Sequence, residues 1–303
     1  MKIVFAGSPE YAVPALKAVH EKFGVAAVIT QPDRPVGRKQ VLTPTPVKAE
    51  AEKLNLPVYD FTKIRNCVDE VKAIGADIMI TCAYGQLLTQ EVLDCFEMGV
   101  WNLHASLLPK FRGASPIQSA ILAGETHTGV TVMRTELSLD TGDILLVKRC
   151  EIGDKNCAEL SEVLSLLSAE AAVEAVELIG RGQPQLLMQD EARATFCRKI
   201  QKSDCKIDFT NSAEDICRLI RAMNPQPFAY CEQNGTVLNI LRATVADGGG
   251  NTGEVMSADK RGIVVACGGG AIRIEELQPA GGKIMRAADY VNGRKIKAGD
   301  RLD

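Results

Sequence analysis

The chain has 303 residues, of which 46% are hydrophobic, and a formal net charge of −3. This composition is that of an ordinary globular protein, and the length favours two domains over one. No run approaches the roughly 18 consecutive apolar residues of a membrane helix, and the short apolar start ends at Gly7, so we expect a cytoplasmic protein rather than a membrane or secreted one.

Apolar strands alternate with amphipathic helices over the first 180 residues. The predicted strands are Lys2–Ala6, Val25–Thr30, Ala76–Ala83, Gly99–His104, Val130–Arg134 and Ile144–Cys150. The predicted helices are Ala12–Glu21, Thr45–Leu54, Ser115–Ala123 and Cys157–Ile179. Because unbroken apolar strands are typical of a sheet covered on both faces, the pattern predicts a Rossmann-like α/β domain with a parallel sheet over residues 1–183.

The pattern changes after residue 183. Residues 184–203 lack a clear period and are predicted to be a linker. A helix is predicted over Ala213–Ala222, followed by the short strands Thr236–Ala243, Gly253–Met256, Ile263–Ala266 and Ala271–Gln278. Short strands separated by turns predict a small OB-like β-barrel within residues 204–303.

Ten cysteines are scattered along the chain without a Cys-x-x-Cys pair, and there are only three histidines. In a chain of this length without a secretory signal, cysteines are not expected to form a disulfide framework. We therefore expect reduced cysteines that serve as small apolar residues, and no metal site.

Two polar residues lie near the carboxyl end of the predicted strand Gly99–His104. Because an open parallel sheet binds ligands beyond the carboxyl ends of its strands, we expect a ligand site at this edge. Asn102 and His104 share one face of that strand, and Asp140 lies in a later turn that can return to the same edge. An amide donor can stabilise an oxyanion, while an imidazole and a carboxylate can move a proton. Taken singly, His104 could equally be a core histidine and Asp140 a turn residue.

Longer motifs surround these three residues. The run Asn102–Pro109, the pair Arg112-Gly113 and the run Leu139–Asp143 together resemble the signature of formyltransferases that use 10-formyltetrahydrofolate. The resemblance implies that Asn102, His104 and Asp140 are catalytic and that 10-formyltetrahydrofolate is the cosubstrate, with no metal. It also implies folate-binding roles for Ser106, Leu107, Leu108 and Pro109, and a pterin-pocket loop over Ala83–Leu88.

The tail and one early loop resemble the tRNA-directed members of that family. The matching tail segments are Ala194-Thr195, Lys199-Ile200, Ile207-Asp208, Arg221–Pro225, Leu277–Gly281, Asn292–Arg294 and Gly299–Leu302. The early segment Gln31–Pro44 has almost no period and carries Arg34, Arg38 and Lys39, cations that suit RNA phosphates and bases. The resemblance implies that these three bind tRNA, with Arg38 foremost. The implied acceptor is methionyl-initiator-tRNA, the C-terminal domain is implied to bind tRNA, and the protein is expected to be a monomer.

Other interpretations stay open. Enzymes that formylate an amino-sugar nucleotide share the motifs, although the basic segment argues against that acceptor. A formyltetrahydrofolate hydrolase domain is normally part of a much longer chain, and a non-catalytic RNA-binding module would not need Asn102, His104 and Asp140. One departure from the family pattern is an aromatic residue lost at Gln226 and gained at Phe228.

Overall fold

The computed structural model describes residues 1–37, 39–182, 184–293 and 295–303. The chain divides into two compact units. The first comprises residues 1–116, 127–151 and 161–197, and the second comprises residues 117–126, 152–160 and 198–303. The domain limits and the linker proposed from the sequence stay a prediction.

The described strands of the first unit differ in length. In chain order they are β1 (Ile3–Gly7), β2 (Ala27–Ile29), β3 (Arg34–Val36), β4 (Val41–Thr43), β5 (Val58–Tyr59), β6 (Ile78–Cys82), β7 (Val100–His104), β8 (Arg112–Gly113), β9 (His127–Arg134), β10 (Ile144–Glu151) and β11 (Phe196–Cys197). The main sheet has the order β10-β9-β7-β6-β1-β2-β5 in the described residues. Every residue of β1, β2 and β6 is buried. Because successive side chains point to opposite faces, this burial means that both faces of the sheet are covered.

The sheet is parallel only in part. Strands β5, β2, β1, β6 and β7 run in one direction, whereas β9 pairs with β7 and with β10 in antiparallel register. A uniformly parallel sheet was the wrong expectation at this side. The apolar run of β9 indicates burial but carries no information on strand direction, and the chain reversal between β9 and β10 makes that pair antiparallel.

The described helices are α1 (Val13–Phe23), α2 (Pro46–Lys53), α3 (Val68–Ala73), α4 (Gln90–Leu93), α5 (Pro116–Leu122), α6 (Cys157–Gly180), α7 (Ala213–Ala222) and α8 (Ala287–Asn292). Several helices begin at polar caps or prolines, whereas α3, α4 and α8 have no side-chain cap and were not predicted. At α2 the Thr45 hydroxyl accepts from the backbone N–H of Lys48, and at α7 Ser212 caps the N–H of Asp215. Over the described ranges, no helix combines the length and apolarity that crossing a membrane needs.

The described residues on either side of position 38 have more regular structure than the sequence suggests. Strands β3 and β4 pair as an antiparallel hairpin, with Arg34 opposite Thr43. All six residues of the two strands are exposed. This hairpin is called the basic hairpin below. The expectation of an irregular loop was wrong, because backbone pairing, which apolar periodicity does not reveal, shapes the segment.

The second unit contains an antiparallel sheet. Its strands are β12 (Ala229–Gln233), β13 (Thr236–Ala246), β14 (Val255–Asp259), β15 (Gly262–Ala266), β16 (Ala271–Pro279) and β17 (Met285–Arg286). Their order is β12-β13-β16-β15-β14, with β17 beside β16. Among the described strands β12 and β14 do not pair, so the sheet is not closed. The four strands predicted here are present, whereas β12, β17 and α8 were not predicted.

Candidate active site

His104 is the last residue of β7 and is only 6% exposed. Its Nε2 lies 2.9 Å from the carbonyl oxygen of Phe111. Since a carbonyl can only accept, Nε2 must carry the hydrogen of this bond. In the neutral ring, Nδ1 is therefore the atom with the free lone pair, and it is the atom that can take up or release a proton.

Asp140 brings a carboxylate to that nitrogen. Its Oδ2 lies 3.7 Å from Nδ1 of His104 and accepts a hydrogen bond of 2.7 Å from the backbone N–H of Gly113. The backbone of Asp140 is left-handed, with φ at +53°. Asp is one of the few residues that adopt this conformation readily. The Oδ1 atom has no partner in the part of the chain that the structure describes, so one carboxylate oxygen remains available to a substrate.

Asn102 shares its face of β7 with His104, two residues along the strand. The hydroxyl of Thr81 donates to its Oδ1 at 2.8 Å, and Thr81 is also its register partner on β6. This hydrogen bond fixes the orientation of the Asn102 amide, with Oδ1 toward Thr81 and Nδ2 directed away from Thr81. In the described ranges that nitrogen has no protein acceptor, and it can therefore donate to a ligand.

These three residues supply complementary chemistry at the carboxyl end of one strand. The amide of Asn102 can donate to an oxygen that becomes negative, and the pair of His104 and Asp140 can hold one proton between them. The structure brings His104 and Asp140 together directly. The Cα atom of Asn102 lies two strand residues from that of His104, a spacing of about 6–7 Å. Such a set suits the addition of a nucleophile to a carbonyl carbon.

Two family models match the chain. The model described as "Formyl transferase" covers residues 1–175, and the one described as "Formyl transferase, C-terminal domain" covers residues 199–295. The chain belongs to the formyl transferase family. A protein from Neisseria gonorrhoeae named methionyl-tRNA formyltransferase is 44% identical over all of both chains. A protein of the same name from Coxiella burnetii is 42% identical over all of this chain and 97% of its own.

Solved structures of other formyltransferases share the fold. An N-formyltransferase from Helicobacter canadensis, in complex with folinic acid and dTDP-3-aminofucose, matches 90% of this chain and 98% of its own with a TM-score of 0.70 and 18% identity. A methionyl-tRNA formyltransferase from Clostridium thermocellum matches 81% of this chain and 94% of its own with a TM-score of 0.57 and 18% identity. At this identity the likeness establishes the fold alone.

The segment that the family resemblance assigns to the folate follows His104. Ser106 is fully buried, and its hydroxyl donates to the carbonyl of Lys110 at 2.6 Å. The N–H of Leu108 donates to the Thr131 hydroxyl at 3.2 Å, and Leu108 packs with Met133 and Ile144. These contacts fix the shape of the segment. The folate-binding roles of Ser106, Leu107, Leu108 and Pro109 stay a prediction.

The segment Ala83–Leu88 is anchored from inside. The side chain of Gln86 accepts from the N–H of Ile64 at 2.8 Å and donates to the carbonyl of Phe61 at 2.7 Å. Leu87 is 80% exposed, whereas Leu88 packs against the buried core of the first unit. An exposed leucine beside an anchored polar loop is compatible with a ligand surface, which keeps the assignment to a pterin pocket open.

Two of the three cations predicted to bind tRNA, Arg34 and Lys39, belong to the described part of the basic hairpin. Arg34 is exposed and donates to the Gln31 side chain at 3.1 Å, and Lys39 is exposed. Arg38 lies outside the described residues. Val36, Val41 and Leu42 of the hairpin are also more than half exposed. The tRNA-binding roles of Arg34, Arg38 and Lys39 stay a prediction.

Sequence reasoning missed several residues that shape the site. Thr81 orients Asn102, and the only signal for it was one hydroxyl inside an apolar strand. Phe111 and Gly113 act through backbone atoms, which no side-chain pattern reveals. A β-carbon at Gly113 would lie 2.1 Å from the Cys197 carbonyl, so this position admits only glycine.

Proposed function

We propose that the protein transfers the formyl group of 10-formyltetrahydrofolate to the α-amino group of methionine esterified to initiator tRNA. The observation that carries the proposal is the juxtaposition of His104 and Asp140 beside Asn102 in a chain of the formyl transferase family. The product is N-formylmethionyl-tRNA, the substrate of translation initiation.

The proposed reaction is an addition followed by an elimination. The free amine attacks the formyl carbon, and Asn102 Nδ2 donates to the oxygen that becomes negative. The Asp140 carboxylate accepts the proton that leaves the attacking nitrogen, and Nδ1 of His104, beside that carboxylate, relays this proton to the departing folate nitrogen. The new C–N bond remains, while the bond between the formyl carbon and the folate nitrogen breaks and that nitrogen takes the proton. No covalent enzyme intermediate and no metal are required.

The proposed formyl acceptor is inferred from relatives that align with the whole chain, and not from the fold. Relatives named methionyl-tRNA formyltransferase align with both family regions of this chain. The Helicobacter canadensis protein supports only the fold, so an amino-sugar acceptor gains nothing from it. We place the reaction in the cytoplasm, where charged tRNA is used, and we expect a monomer.

Contact with the donor is assigned to the segment that leads away from His104. Ser106, Leu107, Leu108 and Pro109 follow the catalytic strand directly, so a folate bound against them would bring its formyl group to the end of β7. The buried hydroxyl of Ser106 is already bonded to Lys110, so its proposed contribution is to shape the segment.

Contact with tRNA is assigned to the basic hairpin and to the C-terminal domain, proposed to be OB-like. One feature supports a barrel-like closure. The backbones of Glu232 in β12 and Asp303 exchange two hydrogen bonds of 2.8 and 2.9 Å, and the N–H of Leu302 donates to the carbonyl of Gly253 at 2.8 Å. The chain terminus therefore bridges the two ends of the open sheet.

The acceptor assay tests this function. The protein is incubated with 10-formyltetrahydrofolate and either methionyl-initiator-tRNA, methionyl-elongator-tRNA or an amino-sugar nucleotide. We expect rapid formylation of the initiator tRNA and at least about 10-fold lower kcat/KM for the elongator tRNA, a difference of about 1.4 kcal/mol. Formylation of the sugar nucleotide without formylation of the tRNA would refute the proposed acceptor.

A further inference from the structure

Residues 187–197 form a brace against the two loops of the candidate site, although the sequence predicts a linker there. Leu187 and Ile144 exchange backbone hydrogen bonds of 2.8 Å each. Further along, β11 pairs in parallel with β8, and the carbonyl of Thr195 accepts from the N–H of Arg112 at 2.9 Å. All these residues belong to the first compact unit.

Gln189 is the buried centre of this brace, with 6% exposure. Its Nε2 donates to the carbonyls of Asp140 at 2.9 Å and of Gly142 at 2.7 Å. Its Oε1 accepts from Nε and Nη2 of Arg112 at 3.1 and 2.8 Å. Because arginine can only donate and carbonyls can only accept, the orientation of this amide is fixed, and all four of its hydrogen-bonding positions are used.

Arg112 connects Gln189 to the surface. It is fully buried, and its guanidinium also donates to both carboxylate oxygens of Glu191 at 2.9 and 2.6 Å. The side chain of Glu191 is 68% exposed. This hydrogen bond to Arg112 lowers the pKa of the Glu191 carboxyl. The backbone around Arg112 faces the site, since Phe111 accepts from His104 and Gly113 donates to Asp140.

The two loops that hold the proposed proton-transfer pair are thus tied to each other through one amide. Gln189 holds the backbone of the loop that carries Asp140 through two hydrogen bonds, to the carbonyls of Asp140 and Gly142. Through Arg112 it also holds the loop that orients His104. A β-carbon on Gly142 would lie 1.8 Å from the Arg134 carbonyl, so this loop is packed too closely to shift without cost.

We propose that Gln189 is a positioning residue for catalysis. By bonding both to the Asp140 loop and to Arg112, it fixes the position of the Asp140 carboxylate relative to His104. The expected effect on kcat rests on the proposed function, whereas the expected effect on the His104 environment does not. Gln189 contacts no reacting atom; it acts through Asp140. Displacements of about 1 Å remote from the chemistry can cost up to about 10²-fold in rate.

The test compares Gln189→Glu with Gln185→Glu. The first keeps the size and can still accept from Arg112, but it cannot donate to the two carbonyls. The second makes the same charge change at an exposed position of the same segment. We expect Gln189→Glu to lower kcat by at least about 10-fold with little change in KM for donor or tRNA, and Gln185→Glu to leave both unchanged.

Ring ¹⁵N spectra of histidine separate positioning from mere stability. The chain has three histidines, so substitutions at His20 and His127 assign the third signal. In Gln189→Glu the His104 shifts should move while those of His20 and His127 stay. The surface variant Glu191→Gln weakens the hydrogen bonds that Arg112 makes to residue 191. It should move the His104 shifts in the same direction as Gln189→Glu does, but by a smaller amount.

Unchanged His104 shifts together with an unchanged kcat in folded Gln189→Glu and Glu191→Gln would overturn the proposal. A lower melting temperature with a normal kcat per folded molecule would also overturn it, since Gln189 would then be structural only. If the wild type formylates no tRNA, the proposed function fails, and the His104 shifts still decide whether Gln189 positions the pair.

Discussion

Asn102→Ala, His104→Ala and Asp140→Ala are each expected to lower kcat for formyl transfer by at least about 10²-fold, with little change in affinity for tRNA. The reason is that each side chain interacts with the reacting atoms more strongly in the transition state than in the bound substrates. Steady-state kinetics with methionyl-initiator-tRNA and 10-formyltetrahydrofolate provide the measurement.

Two kinds of control accompany these variants. Asp140→Asn keeps an oxygen that can accept from the N–H of Gly113, so this variant removes the charge of the side chain but preserves the loop. Its kcat should be as low as that of Asp140→Ala. His127→Ala and Asp94→Ala change exposed residues of the same types and should retain normal kcat. Near-normal kcat in all three of the main variants would remove the proposed mechanism.

Removal of the cations of the basic hairpin should have the second largest effect, and it should act on tRNA alone. The variant Arg34→Ala/Arg38→Ala/Lys39→Ala is expected to raise KM for methionyl-initiator-tRNA by at least about 10-fold near physiological salt. The KM for the folate donor should stay unchanged. The salt dependence of tRNA binding should also weaken, by about 0.7–0.9 in logarithmic slope for each phosphate that the variant no longer neutralises.

A matched variant removes three exposed cations elsewhere. Lys17, Lys53 and Arg181 have side chains that are 58%, 71% and 74% exposed. Since Lys17→Ala/Lys53→Ala/Arg181→Ala changes the net charge equally, it separates a specific contact from general attraction to RNA. The hairpin assignment is wrong if both triple variants bind tRNA alike, or if the hairpin variant impairs only the donor.

Much of the fold follows from the sequence because the strongest signals are local. Strand β6 is an apolar run that needs no partner to be recognised, and α7 lies where its Ser212 cap and the following Asn224-Pro225 predict. The edge strand β12 has five residues with a weak alternation of burial. Strand direction and sheet closure depend on distant pairing, so the antiparallel side of the first sheet and the open second sheet could not be predicted.

The part of the candidate site that consists of side chains at the end of a strand could be predicted from the sequence. Asn102 and His104 share a face because strand geometry requires it, and the family motif adds Asp140. The remaining contacts join residues far apart in sequence. Gln189 reaches back 49 positions to Asp140, and Arg112 reaches forward 77 positions to Gln189. Such pairings leave no period in a single sequence, so these contacts could not be predicted from it.

The central claim is that His104 and Asp140, beside Asn102, act as one unit at one formyl carbon. A double-mutant cycle under single-turnover conditions tests it most directly, with wild type, His104→Ala, Asp140→Ala and the double variant. Residues that act together are strongly non-additive. We predict that the double variant is about as slow as the slower single variant, whereas a loss equal to the product of the two single losses would contradict the account.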